Sequence, residues 1–70
     1  MSYYSPEFVR TMRSALDEVV TKIPAHQATS AVKVKIAEII LKTAAEGQRS
    51  YEGLISAASE QVPTIISERS

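Results

Sequence analysis

Three stretches of the chain space their apolar residues as an α-helix does, and each is bracketed by residues that start or stop helices. The first opens at Ser5-Pro6-Glu7. A serine before proline is a good N-cap with proline at the first helical position, and Glu7 suits the positive end of the dipole. Phe8, Val9, Met12, Ala15, Leu16, Val19, Val20 and Ile23 then fall within roughly 140° of arc at ~100° per residue. Polar residues fill the rest of the circumference, with Glu18 and Lys22 four apart in the favourable order. Pro24 stops the pattern, which predicts a helix over 6–22.

The second stretch follows a connector, 24–28, and is capped by Thr29 or Ser30. Its main stripe is Val32, Ile36, Ile39, Ile40 and Thr43, and Val34, Ala37, Leu41, Ala44 and Ala45 continue it around the cylinder. The apolar arc is about 240° wide, broken by Lys33, and leaves a narrow polar strip of Lys35, Glu38, Lys42 and Glu46. So little polar face predicts a largely enclosed helix over 29–46, stopped by a left-handed Gly47. The β-branched residues do not make this a strand, because Lys33, Lys35 and Glu38 break the alternation.

The third stretch starts at Ser50, and Tyr51, Leu54, Ile55, Ala58 and Val62 form its stripe. Gly53 in the first turn either allows a close approach or is merely tolerated. Pro63 predicts an end or a kink, hence a helix over 50–62 and a tail over 63–70. Ile65 and Ile66 keep the phase of the stripe. The tail therefore either folds back as a short helical turn or offers an apolar end to a partner.

At 70 residues the chain makes a single domain over 1–70 with a thin core. It contains no cysteine and one histidine, His26, so disulfides, thiolate sites and a zinc centre do not support that core. What remains is close helix packing, a partner chain, or both. Eight basic residues balance eight acidic ones, which fits neither a phosphate-binding domain nor a disordered chain and permits self-association. Residues 29–49 carry four basic and two acidic side chains, and residues 50–70 carry one basic and three acidic. The second helix and the C-terminal segment are thus complementary, which orients docking more than it drives it. The N-terminal residues lack the basic and apolar regions of a signal peptide, and the apolar run 37–45 is too short to span a bilayer. A cytoplasmic location is expected.

Candidate chemistry is sparse. His26 lies in the connector with nothing to fix it against a serine, so it reads as an ordinary loop histidine. Asp17 and Glu18 are adjacent on a helix and point apart, which makes them a solvated face and not an acid–base pair. There is no glycine-rich phosphate loop and no spacing that suits a metal, so no catalytic residue, cofactor, metal or small-molecule substrate is expected. Tyr3 and Tyr4 either staple the start of the first helix or pack on a neighbour, and stapling within the chain is the more economical reading. The short turn through Gly47 invites comparison with a helix-turn-helix. Its recognition helix would hold Tyr51, Ser56, Ser59 and Gln61 but also Glu52 and Glu60, whose carboxylates oppose phosphates.

The run from Ile36 to Ser50, followed by Leu54 and Ala57-Ala58, resembles a pattern in small uncharacterised bacterial helical proteins. Tyr4-Ser5-Pro6-Glu7-Phe8 and Leu16-Asp17 are similar to the same group. The resemblance implies a bacterial cytoplasmic setting and supplies no activity or site residues.

The resulting expectation is an all-α, compact three-helix bundle that acts by binding. Its function is expected to be that of a non-catalytic protein–protein interaction or regulatory adaptor, as a homodimer or with another protein. The second helix would supply Val34, Ala37, Leu41 and Ala45, and the tail would supply Ile65 and Ile66. The alternative is a nucleic-acid-associated regulator using Lys33, Lys35 and Arg49.

Overall fold

A computed structural model describes residues 4–69, with side chains as far as Ser67. Tyr3 and the last residue of the tail lie outside the described residues. The elements are α1 (Pro6–Thr21), a 3-10 turn (Ala25–Gln27), α2 (Ser30–Ala45) and α3 (Tyr51–Arg69). The three helices pack pairwise against one another as an all-α three-helix bundle.

Each helix boundary follows from local hydrogen bonding. Ser5 is extended, and its hydroxyl accepts the Phe8 N–H at 3.1 Å while Pro6 opens α1. The Thr29 hydroxyl accepts the Val32 N–H at 3.3 Å to start α2. At the far end of α2, the Gly47 N–H donates to the Ala44 carbonyl at 3.1 Å and the Gln48 N–H to the Thr43 carbonyl at 3.2 Å. These are the two bonds of a Schellman cap, and they require the positive φ of 115° at Gly47. A Cβ at Gly47 would meet no atom within 4 Å, so Gly47→Ala acts through backbone strain alone. It is expected to lower stability by about 1–2 kcal/mol, read as a shift in urea midpoint with unchanged slope.

The start of α3 is built around Gln48. Its side-chain oxygen accepts the Ser50 N–H at 3.0 Å and the Ser50 hydroxyl at 2.9 Å. The Ser50 hydroxyl oxygen in turn accepts the Gly53 N–H at 3.0 Å. Gly53 is the residue that makes room: a Cβ there would collide with the Gln48 amide group. The close approach that the glycine allows is therefore by a side chain two residues before the cap.

The third helix does not end at Pro63, as the proline predicts, but continues to Arg69. Pro63 is exposed, so its ring does not crowd the core. It has no N–H for the Ser59 carbonyl, which weakens the helix locally, and the Ser59 hydroxyl is also buried without a partner. Against this stands Ile65, 5% exposed, with Val62 and Ile66 partly buried against the same core. Burying an isoleucine contributes about 1.5–3 kcal/mol, which is comparable to the roughly 3 kcal/mol that an interior proline costs. The tail thus finishes the helix and closes the end of the core.

The core is a single cluster. α1 contributes Met12, Ala15 and Val19, with Ile23 just beyond it; α2 contributes Val32, Ile36, Ile40 and Ala44; α3 contributes Leu54, Ala58 and Ile65. Two residues expected on the buried stripes lie outside it, Val9 and Tyr51, both exposed. Within the single chain α2 is enclosed on one side only, with Val34 and Leu41 exposed. The molecule measures 37 × 19 × 18 Å, about two helices thick at ~10 Å each. Two neighbouring helices in so slim a bundle cover one side of α2 but not the whole apolar arc. Among the described residues, no helix is long and apolar enough to cross a membrane.

Candidate functional site

The residues of α2 that the core leaves uncovered are the second stripe. Val34 is 57% exposed and Leu41 50%, Ala45 is exposed and Ala37 half-buried. At ~100° per residue these four span about 80° of arc, centred roughly 120° around α2 from the buried row Val32, Ile36, Ile40 and Ala44. The edge of α1 continues the surface with Val9, 40% exposed, and the half-buried Leu16. Between the two helices runs an open groove of ≈ 190 Å³. It is lined by Val9, Met12, Arg13 and Leu16 from α1 and by Ala37, Ile40 and Leu41 from α2, and its exposed lining is apolar. An apolar strip of this kind, rimmed by charges, is the common form of a protein contact surface.

The sequence-derived contact residues divide into two groups. Val34, Ala37, Leu41 and Ala45 fall together on this face. Ile65 does not: it is core, and its assignment as a contact residue is corrected by its burial within the chain. Ile66 is partly buried against that core, on α3. Sequence spacing does not single out Val9 and Leu16 as contact residues, because both keep the phase of the α1 core stripe. Only the position of α2 turns them outward.

The basic residues named for nucleic acid do not assemble. Lys33 and Lys35 lie two positions apart near the start of α2, about 160° from each other around the helix. Arg49 lies beyond the other end, in the connector to α3. Its guanidinium carbon is 4.9 Å from the ring centre of Tyr4 and 4.8 Å from that of Phe8. Those two rings meet edge to face at 5.2 Å. Arg49 thus pins the connector onto the start of α1 through cation–π contacts. Tyr4 does staple the helix start, on Phe8, with an arginine from a distant part of the sequence closing the cluster.

Among the described residues, no group of three or more His, Cys, Asp or Glu side chains is placed to hold a metal ion. The cleft between α2 and α3, bordered by Lys42, Glu46, Glu60 and Gln61, is open and mostly polar. A smaller depression at the other end of α1 is bordered by Lys22, Ile23, Ser59 and Pro63. Comparison with protein-family models, with curated proteins and with solved structures finds no match to this chain.

Proposed function

We propose that the chain is a non-catalytic interaction module, a regulatory adaptor in the cytoplasm that self-associates through α2 and the adjoining edge of α1. The observation that carries this reading is the exposure of Val34 and Leu41 beside an apolar groove, on a helix whose inner side is the centre of the core. A 70-residue domain with eleven buried apolar residues among those described gains most from covering such a face. A two-fold pair is the simplest way for one surface to cover itself.

Sedimentation equilibrium across the micromolar range tests the reading. The mass is expected to rise with concentration from 7.7 kDa toward twice that value. A mass fixed at 7.7 kDa throughout would overturn self-association. Retention on DNA that weakens steeply with salt would instead favour the regulator using Lys33, Lys35 and Arg49.

A further inference from the structure

We propose that the partner covering this face is a second copy of the chain laid antiparallel along α2, in a register fixed by Glu38 and Lys42. This rests on the self-association proposed above and adds its geometry. Two antiparallel helices related by a two-fold axis keep like flanks together: whatever borders the stripe on one side meets the same border of its partner, reversed in direction. The stripe Val34, Ala37, Leu41 and Ala45 has its midpoint near residues 39–40. Reversal about that point sets Val34 opposite Ala45 of the second copy and brings Ala37 to within one residue's rise, ~1.5 Å, of level with Leu41, large against small in both layers.

The same reversal has a consequence for charge. Glu38 and Lys42 both lie on the flank of the stripe away from α1. Under the same reversal Glu38 of one copy stands within one residue's rise, ~1.5 Å, of level with Lys42 of the other, and the match occurs twice. Four alternating charges then form a closed ring over one edge of the apolar contact. In the single chain these charges are unpaired: Lys22 with Glu18, at 3.8 Å, is the one ion pair among the described residues. Lys42 also borders the cleft that holds Glu60, so an intrachain use of Lys42 is the competing arrangement. On the other flank Arg13 walls the groove, with Asp17 one turn along to offset it. A parallel two-fold pair would bring unlike flanks together, set Glu38 and Lys42 against the α1 side of the second copy, and lose the ring. Rim charges of this kind select register and partner more than they supply affinity.

Charge reversal tests the register. E38K sets a lysine against Lys42 at both sites, and K42E sets a carboxylate against Glu38 at both. Each variant alone is expected to dimerise about tenfold more weakly than the unaltered chain, with its helical signal retained. Mixed together they are expected to regain most of that affinity. In the heterodimer the two substituted positions face each other with opposite charges, and so do the two unaltered ones. Native mass spectrometry with one variant isotope-labelled reads the heterodimer directly. If both variants dimerise normally, or the mixture shows no preference for the heterodimer, the register is wrong while self-association stands. If the unaltered chain is monomeric at every concentration, the self-association reading fails and the register fails with it.

Discussion

Ile36→Ala is expected to leave most of the chain unfolded in dilute solution. Ile36 is 0% exposed and lies at the centre of the buried row of α2. Truncating a buried isoleucine to alanine removes about 2–5 kcal/mol, through lost transfer energy and the cavity left behind. A core of this size rarely supplies more than about 3–5 kcal/mol of net stability. The two quantities are comparable, so this one change is enough. The measurement is far-UV circular dichroism with urea titration at low protein concentration, where association does not contribute. A variant that keeps a full folded baseline and loses less than about 1 kcal/mol would show that Ile36 is not central to the core.

Leu41→Asp, only five residues along the same helix, is expected to do the reverse: the fold persists and the association is lost. Leu41 is 50% exposed in the single chain, so removing its side chain leaves the core in place. In the dimer each copy would bury that residue, and an aspartate there would carry an unpaired charge out of water. With two copies affected, dimerisation is expected to weaken by roughly a hundredfold or more. Sedimentation equilibrium then gives 7.7 kDa at micromolar concentration, with helical content unchanged. Retained dimerisation in this variant would place the contact elsewhere. The two substitutions together separate the inner side of α2 from its outer side.

These neighbours also show which parts of the structure are legible in the sequence. Start and stop residues are, because capping is local: Ser5-Pro6, Thr29, Gly47 and Ser50 each satisfy backbone groups a few residues away. The row Val32, Ile36 and Ile40 is legible as the main stripe from its spacing. The end of α3 is not. A proline rule weighs only the lost hydrogen bond, whereas Ile65 is carried into the core by tertiary packing. The place of Arg49 is hidden for a similar reason. Its aromatic partners lie more than 40 positions away in the chain, and no short-range pattern links them. Periodicity shows that α2 is apolar around most of its circumference, but only the arrangement of α1 and α3 shows which part stays uncovered. It also brings Val9 and Leu16 up beside that part.

If the dimer forms through α2, Val34 and Leu41 are hidden in it and open in the single chain. Methyl NMR with a soluble paramagnetic probe measures that coverage residue by residue. At high protein concentration the methyl groups of Val34 and Leu41 are predicted to relax as slowly as those of Ile36, and on dilution to become accessible. Fast relaxation of both methyls at every concentration, in keeping with their 57% and 50% exposure, would show that nothing covers this face.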